Sequence, residues 1–446
     1  MNERLTESAE SLKQKGNAAL QNGNLGEAEA CYRGAIAADP GYMPAYYNLG
    51  NVLVMQRRHE EALAAYQKAG ELDPQDYEIL VNIGATLNTM GRYDEAITAL
   101  NKAEQLMPTA LEPKLNRGVA LTRSGRHEAA IAEYDRILKA DRGCSIARYY
   151  RSMEYLLLGR WQEGFLDHES RLDLPGYAFD EMFADKPEWD GSDLTGQTLL
   201  IYPEQGVGDM IHFLRYAKAC KARGARVMVC CHPPLASLLK TAEDIDVVVP
   251  DGQALPEPYD VYISVMSLPY VLGRMPELPP LKLNIPPRQH SVIAQATGMK
   301  IGFCWQGNPD YGRNAERSIQ ERELWDNLGV INNTSFFSLQ IGIEQSGHAI
   351  PLSPYINDFL DTASLVQQLD RVVTVDTSVA HLCGSLGAPT CLLLAYSPDW
   401  RWGIQGDATP WYPSMRVFRQ VKPWSWAEPL AKVRQYLQQE AGKRTP

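Results

Sequence analysis

The amino-acid sequence predicts two architectures in one chain, an α-helical solenoid of repeated hairpins followed by a pair of α/β lobes. Three observations support this prediction. Glycine, alanine and proline recur at a spacing of 34 residues through the first third of the chain. Short apolar strands then alternate with helical stretches to the end of the sequence. A segment with five prolines, PELPPLKLNIPP, divides this second part into two series.

The repeat fills residues 9–144 as four units of 34 residues. In every unit a glycine is followed 12 residues later by an alanine and then, after four more residues, by a large side chain. These anchors are Gly16, Gly50, Gly84 and Gly118, then Ala28, Ala62, Ala96 and Ala130, and then Tyr32, Tyr66, Leu100 and Tyr134. Small residues let two short helices pack closely, and prolines at 40, 74 and 108 end the second helix. We therefore expect stacked hairpins whose concave face binds a protein or peptide.

A fifth unit begins at Ser145 and then departs from the pattern. Ser152 stands where glycine is expected, and Gly164 stands where alanine is expected. Terminal repeats often change in this way, so the segment predicts a hairpin that packs on a neighbouring part of the chain. The predicted boundaries are 1–172 for the repeats, 173–196 for a linker rich in Pro, Gly and Asp, 197–287 for the first lobe and 288–446 for the second lobe with its closing helix.

Both lobes are predicted to contain parallel sheets, because apolar strands such as TLLIY, RVMVCC, KIGFCW and RVVTV alternate with helices. Ligands of such sheets bind beyond the carboxyl ends of the strands, so the loops at those ends are the place to look for chemistry. Three loops qualify. EQGVGD (204–209) and VDTSVAH (375–381) each run from a strand into a helix, whose N-terminus favours an anion. WQGNPDYGRNAERS (305–318) is polar and carries two arginines.

The loop sequences resemble a known family. GVGD after the first strand, and DTSVAHL followed by GSLGAPT, resemble the two lobes of heptosyltransferase-like GT-B glycosyltransferases. The 34-residue unit resembles the tetratricopeptide repeat, and the combination is similar to the O-GlcNAc transferases and to bacterial flagellin glycosyltransferases. The resemblance covers about residues 198–425 and the repeats. It implies Rossmann-type lobes, a second lobe that binds a nucleotide sugar, and an acidic first-loop residue that acts as a base. The chain departs from the heptosyltransferase pattern at Ser378, where that pattern has glycine, and in its short first lobe.

On this resemblance Asp209 is the candidate base that deprotonates an acceptor hydroxyl. Its alternative role is stabilisation of a helix N-terminus. The same loop places further candidates near the donor phosphate or the acceptor, namely Glu204, Gln205, Gly206 and Gly208. Trp400 and Trp402 either stack on a sugar or pack between the lobes.

Donor binding is assigned to polar residues of the second lobe. They are Gln306, Asn308, Arg313, Arg317, Gln340, Asp376, Thr377, Ser378 and His381. The two arginines would neutralise a leaving diphosphate, or they would simply lie in a solvated surface loop. Thr377 and Ser378 would offer hydroxyl and N–H groups to phosphate, or would only cap the helix. His381 is either a nucleotide contact or a packing residue.

Composition narrows the choice of partners. A net charge of −11 argues against nucleic acid or an anionic membrane as the main partner. The sequence has neither an apolar run of membrane-spanning length nor an apolar N-terminal signal, and its eight scattered cysteines suit reduced thiols in the cytoplasm. Asp244 and Asp246 form a D-x-D sequence that we assign to a surface turn, so no metal site is predicted.

The sequence thus predicts a cytoplasmic, metal-independent bacterial glycosyltransferase that needs no cofactor. It would move a sugar from a nucleotide donor to a protein hydroxyl, possible acceptors including a flagellin-like protein, and the repeats would select that protein. Two alternatives stay open. One is a non-enzymatic adaptor with a degenerate GT-B module, and the other is a transferase for glycan or lipid-linked acceptors whose repeats only assemble a complex.

Overall fold

A computed structural model describes residues 7–175, 186–273, 278–309, 311–342 and 347–443. The chain divides into two compact units, Met1–Glu154 and Tyr155–Pro446. Residues 176–185 of the predicted linker, and parts of the predicted proline-rich segment and of two loops, lie outside the described residues.

The first unit consists of helices that pack in consecutive pairs. They are α1 (Ala9–Gln21), α2 (Leu25–Ala38), α3 (Met43–Met55), α4 (His59–Leu72), α5 (Tyr77–Thr89), α6 (Tyr93–Leu106), α7 (Glu112–Arg123), α8 (His127–Ala140) and α9 (Ser145–Leu157), the last of which runs past the boundary into the second unit. Helical hairpins therefore follow the 34-residue period, as the sequence predicts.

The glycine anchors mark the closest approach within each hairpin. A β-carbon at Gly50 would lie 2.5 Å from Cε1 of Tyr66, whose ring is 2% exposed. The same relation joins Gly16 to Tyr32, and Tyr66 donates its hydroxyl hydrogen to Asn51 Oδ1 at 2.6 Å. The ring therefore occupies the space that any larger residue would need, which explains why glycine recurs at this position.

The second unit holds the predicted α/β part. Its helices are α10 (Trp161–His168), α11 (Val207–Phe213), α12 (Ala217–Lys221), α13 (Ala236–Leu239), α14 (Leu268–Leu272), α15 (Ser291–Ala294), α16 (Asn314–Arg317), α17 (Glu321–Leu328), α18 (Phe359–Val366), α19 (Ser378–Ser385) and α20 (Ala427–Gly442). Its strands are β1 (Thr198–Tyr202), β2 (Arg226–Cys231), β3 (Val247–Pro250), β4 (Val261–Ser264), β5 (Met299–Cys304), β6 (Thr334–Ser338), β7 (Ile350–Pro351), β8 (Arg371–Val375), β9 (Thr390–Leu394) and β10 (Met415–Arg419).

The strands form two parallel sheets, one in each lobe. The first lobe has the order β3-β2-β1-β4 and the second lobe has the order β10-β9-β8-β5-β6-β7. In each sheet the chain leaves the first strand on one side and later returns to its other side. The order therefore reverses beside β1 and beside β5, which are the positions where parallel sheets bind ligands at their carboxyl ends.

Several details differ from the sequence prediction. The helix expected from Asp209 to about Arg223 is divided into α11, a 3-10 turn at Leu214–Tyr216, and α12. The strands β7 and β10 were not predicted, and β7 has only two residues. The described end of the predicted linker packs on the first lobe, where Trp189 N–H donates to Tyr262 O at 2.8 Å.

Two predictions drawn from composition can be compared with the fold. All eight cysteines are free thiols, and seven of them are buried. No helix of the described residues has the length and apolar content needed to cross a bilayer.

Changing Gly50 to alanine tests the packing of the repeats. Because the new methyl group would press on the buried Tyr66 ring, Gly50→Ala should destabilise the first unit by about 1–3 kcal/mol. Gly34→Ala is the matched control in α2, since its β-carbon would meet Leu12 at an ordinary 3.6 Å. It should be neutral or stabilising by up to about 1 kcal/mol.

Urea unfolding followed by circular dichroism measures the change. All nine tryptophans lie after residue 160, so tryptophan fluorescence reports the second unit separately and should not change. Equal effects of the two substitutions would contradict the packing role of the glycine.

Candidate functional site

A cavity of about 870 Å³ lies between the two lobes of the second unit. Its walls come from the segments that follow β1, β5, β6 and β8, namely Gln205–Asp209, Gln306–Pro309, Leu339–Ile341 and Asp376–Val379. The cavity therefore opens at the carboxyl ends of both sheets and beside both points where strand order reverses. Its volume is in the range of small-molecule and cofactor sites.

The N-terminus of α19 faces this cavity. Ser378 and Val379, the first residues of the helix, are lining residues, as is Thr377 before them. The Thr377 hydroxyl lies 3.2 Å from Thr374 Oγ1, and within the described part of the chain it does not cap the first turn. Thr377 therefore occupies the N-cap position of α19, as the predicted alternative states, but its side chain does not cap the helix. Ala380 N–H donates to Thr377 O at 3.0 Å, whereas the N–H groups of Ser378 and Val379 stay available to an anion, which the helix dipole also favours.

Two arginines and several carboxylates set the electrostatics of the cavity. Arg317 and Arg401 line it together with Asp209, Asp376 and Asp399. Burial and the neighbouring Asp399 carboxylate raise the pKa of Asp376 to about 6, while Arg317 opposes that rise. A raised pKa makes Asp376 easier to neutralise when an anionic ligand arrives.

The two predicted arginines have different places. The Arg317 guanidinium stacks on Tyr311 at 4.3 Å from the ring centre, and its Nε is buried without a hydrogen-bond partner among the described residues. Arg313 does not line the large cavity. It pairs with Glu316 at 2.6 Å and donates to Ser397 O at 2.8 Å. Arg313 instead lines a small pocket that shares Arg317 and Asp376 with the cavity, so its contact with a donor stays a prediction.

The predicted amide residues converge on one wall. Gln306, Asn308 and Gln340 all line the cavity, and Gln340 Oε1 accepts the Gln306 N–H at 3.0 Å. This bond ties the loop after β5 to the loop after β6. Gly307 lies between the first two, and a β-carbon there would be 2.6 Å from Arg317 Nη2. The backbone at Gly307 thus lets the arginine reach across the loop.

Asp209 lies in the first turn of α11 and contacts both lobes. One carboxylate oxygen accepts the Gly206 N–H at 3.0 Å, and the other forms an ion pair with Arg401 of the second lobe. The side chain is 17% exposed. Burial raises the pKa of Asp209, and the Arg401 charge opposes that rise. The N-terminal role is confirmed, whereas the catalytic role stays a prediction.

Arg401 is a site residue that sequence reasoning missed. It is 5% exposed, pairs with Asp399 at 2.8 Å as well as with Asp209, and stacks over Trp400 at 4.5 Å. Burial lowers the pKa of Arg401, but the two carboxylates outweigh burial and hold it above its ordinary value. An arginine between two tryptophans was the available signal, but its partner Asp209 lies 192 residues away in the sequence.

Trp400 and Trp402 do not stack on a ligand in this cavity. They are 2% and 1% exposed and do not line its wall. Trp400 packs against Phe213 of α11 at 6.2 Å, and Trp402 stacks on His381 at 5.0 Å. Packing between the lobes, the second of the two predicted roles, is therefore observed for Trp400, whereas Trp402 packs on His381 within the second lobe.

The first loop is divided between the cavity and the protein interior. Gln205, Gly206 and Gly208 line the cavity, and a β-carbon at Gly208 would lie 2.9 Å from His381 Cδ2. Glycine at 208 is therefore what lets α11 approach α19. Glu204 does not line the cavity, because its carboxylate is buried against Arg171 at 2.5 Å. The expectation for Glu204 is thus wrong.

His381 lines the cavity but is also fixed from behind. Its Nδ1 lies 3.1 Å from the Tyr412 hydroxyl, which lies 3.0 Å from Nδ1 of His212. Burial, with a contribution from Arg401, holds the pKa of His381 well below its ordinary range. The ring is therefore neutral at pH 7. The Tyr412 hydroxyl can donate to one histidine and accept from the other. His212, which the sequence analysis did not predict as a site residue, completes this link between the lobes.

No group of three or more His, Cys, Asp or Glu side chains within the described ranges is placed to hold a metal ion. Asp246 of the D-x-D sequence pairs with Lys221 at 2.7 Å and accepts the Val227 N–H at 2.7 Å. That carboxylate has a structural role at the beginning of β2.

Comparisons with known proteins identify the repeats. Two family models of the tetratricopeptide repeat match residues 13–77 and 87–153. The chain therefore contains tetratricopeptide repeats in its first unit. Protein FlbA of Caulobacter vibrioides is 24% identical over 341 residues, which cover 65% of this chain and 54% of that protein. The chain thus spans about half the length of this curated relative.

Solved structures are similar to part of the chain. YrrB, described as a TPR protein with an unusual peptide-binding site, is 22% identical with a TM-score of 0.32, over 37% of this chain and 85% of that one. MamA is 21% identical with a TM-score of 0.33, over 35% and 92%. The pilF protein of Pseudomonas aeruginosa is 22% identical with a TM-score of 0.34, over 38% and 78%.

Replacing Asp376 by asparagine should make the second unit less sensitive to pH. Because the folded-state pKa is raised from an ordinary 3.8 to about 6, ionised Asp376 lowers stability, and this loss develops as pH rises between those values. Asp376→Asn removes the charge and keeps the shape. The free energy of unfolding of the variant minus that of the native chain should rise by about 1–3 kcal/mol from pH 4 to pH 7.5. One unit of pKa shift corresponds to ~1.4 kcal/mol.

Urea unfolding followed by tryptophan fluorescence at the two pH values provides the measurement. Asp326→Asn is the control in the same lobe, because that side chain is 69% exposed. A relative stability of the Asp376 variant that does not change with pH would contradict the assigned burial of this charge.

Proposed function

We propose that this chain is a glycosyltransferase that moves a sugar from a nucleotide donor to a protein hydroxyl, with the tetratricopeptide repeats selecting the acceptor. One observation carries the proposal. The cavity lies at the carboxyl ends of two parallel sheets, with a helix N-terminus that has no side-chain cap and Arg317 from the second lobe, and the Asp209 carboxylate from the first lobe. This arrangement suits a phosphorylated donor held by the second lobe and an acceptor that enters from the first.

The donor phosphates fit the N-terminus of α19. The N–H groups of Ser378 and Val379 there supply hydrogen bonds without adding a bulky side chain, and Arg317 adds a full positive charge. Protonation of Asp376 would reduce repulsion at the same position. The amides of Gln306, Asn308 and Gln340 on the adjoining wall suit the hydrogen-bonding edges of a base or ribose.

Asp209 suits the role of general base. As the acceptor oxygen bonds to the anomeric carbon, its proton passes to the carboxylate, and the nucleotide phosphate leaves with the electrons of the broken bond. A raised pKa helps the carboxylate to hold that proton, and Arg401 keeps it ionised beforehand. The helix N-terminus and Arg317 would stabilise the negative charge that grows on the leaving phosphate.

The repeats supply the reason to propose a protein acceptor. Stacked helical hairpins present an extended surface for peptides or partner helices, and tetratricopeptide repeats are typical protein-binding modules. The weak relationship to Protein FlbA extends beyond the repeats, since it covers 65% of this chain.

Donor binding is tested first by thermal unfolding with UDP-, GDP-, ADP- and CMP-sugars. A ligand that binds only the folded state raises the unfolding temperature of the second unit, which tryptophan fluorescence reports. One nucleotide class should stabilise the chain. If none does, the adaptor alternative is favoured, whereas sugar transfer to a lipid-linked glycan and not to protein would favour the other alternative.

Ser378→Asp should weaken donor binding without unfolding the lobe. An aspartate at the start of α19 favours the helix dipole, so the fold is retained, but its charge repels phosphate by about 1–4 kcal/mol at 4 Å. Affinity for the stabilising nucleotide sugar, measured by calorimetry, should fall roughly tenfold or more.

Ser291→Asp is the matched control. It makes the same change at the first residue of α15, in the same lobe and outside the cavity. Its donor affinity should equal that of the native chain. Unchanged affinity in Ser378→Asp would remove the α19 terminus from the donor site.

A further inference from the structure

The helix after the last repeat, α10, is built into the α/β unit. Residues from Tyr155 onward belong to that unit, and Gly164 explains part of the fit. A β-carbon at Gly164 would lie 2.6 Å from Leu156 Cδ2, so glycine brings α10 close to the end of α9. A 3-10 turn at Glu169–Asp173 continues the chain from α10.

Arg171 in this turn is buried among partners from the first lobe and from its own segment. It is 2% exposed and donates two parallel hydrogen bonds to the Glu204 carboxylate, Nε to Oε1 at 2.5 Å and Nη2 to Oε2 at 2.7 Å. It also donates to Ser267 Oγ at 2.7 Å and pairs with Glu169 at 2.6 Å. Ser264, the last residue of β4, donates to the same Glu204 carboxylate. A two-point arginine–carboxylate contact fixes direction as well as position.

Glu204 precedes the loop that carries Asp209. The residues from Gln205 to Asp209 form the first-lobe wall of the cavity, and His232 Nε2 donates to Gln205 O at 2.7 Å. The buried Glu204 is therefore the fixed point from which the loop leaves β1. Arg171 supplies the charge that makes a buried carboxylate stable at that point.

Aromatic residues of α10 support the other partner of Asp209. Phe165 packs edge-on against Trp400 at 5.7 Å, and Trp161 packs edge-on against Trp411 at 5.2 Å. Trp400 lies under the Arg401 guanidinium, and Trp411 donates its indole N–H to the Arg401 carbonyl. The segment 161–173 thus contacts the supports of both Asp209 and Arg401.

We propose that Arg171 is a positioning residue for sugar transfer, because through Glu204 it fixes the loop that aims Asp209 into the cavity. The effect of Arg171 on turnover rests on the proposed function, whereas its effect on the position of the loop does not. The segment 161–173, which ends the helical array in sequence, is on this account a working part of the catalytic unit.

The test uses the full chain with the paired change Arg171→Met and Glu204→Gln. Removing both charges avoids leaving one buried charge without a partner. The matched control is Arg226→Met with Glu257→Gln, an ion pair of the same lobe whose arginine side chain is 51% exposed. Hydrogen–deuterium exchange is measured over residues 205–213 and, as an internal reference, over β2.

The paired variant should exchange about tenfold faster over 205–213, with β2 unchanged, because the loop has lost its anchor. Donor affinity should stay within about twofold, while kcat falls by about tenfold or more. Added to Asp209→Asn, the paired change should cause little further loss, since both would act on one proton transfer. The control pair should change none of these quantities.

Unchanged exchange over 205–213 in the paired variant would overturn the inference. So would a combined variant with Asp209→Asn whose fold-loss in kcat equals the product of the two separate fold-losses. If the native chain transfers no sugar, the proposed function fails, and the exchange result still decides whether Arg171 fixes the loop. If the paired variant unfolds in general, exchange becomes faster in β2 as well. In that case the single variant Arg171→Lys tests whether Arg171 fixes the loop. Lysine keeps the positive charge but cannot form the two parallel hydrogen bonds to Glu204, so exchange should become faster over 205–213 and not in β2. Unchanged exchange over 205–213 would overturn the inference.

Discussion

The ion pair between Asp209 and Arg401 joins the two lobes at the wall of the cavity, and the surrounding structure depends on keeping these charges compensated. Removing such charges from water costs several kcal/mol each unless hydrogen bonds and partners surround them. The Gly206 N–H, the Asp399 carboxylate and the Trp400 ring provide that environment. The Asp209 side chain is 17% exposed and lines the cavity.

Close contact between α11 and α19 allows this pair to form. Glycine at 208 brings the helices together, and the Tyr412 hydroxyl links a histidine from each helix behind them. These histidines are neutral, since burial and nearby arginines hold the pKa of both well below the ordinary range. The contact is therefore made by shape and hydrogen bonds, while the charges are concentrated at the cavity wall, where they would meet an anionic ligand.

Features that repeat along the chain, or that depend on residues close together in the sequence, can be predicted from local sequence. The 34-residue spacing predicts the helical hairpins, and strand-to-helix loops predict which segments line the cavity. What it could not predict depends on contacts between distant segments. Glu204 was expected in the cavity but faces Arg171, 33 residues earlier, and Arg401 was overlooked because its partner lies in the other lobe. For Trp400 and Trp402 the sequence left sugar stacking and packing between the lobes both open, since exposure cannot be read from residue type.

The chain combines tetratricopeptide repeats with a parallel α/β unit, and sugar transfer by that unit is the proposed chemistry. Sugar transfer to protein by the native chain and by Asp209→Asn, measured by intact-mass spectrometry with a saturating nucleotide sugar, tests it most directly. Asparagine can still accept the Gly206 N–H but cannot take a proton. The account predicts turnover at least about 10²-fold lower in the variant, with donor affinity nearly unchanged. A variant that transfers sugar at the native rate would show that Asp209 only stabilises the N-terminus of α11, and would contradict the account.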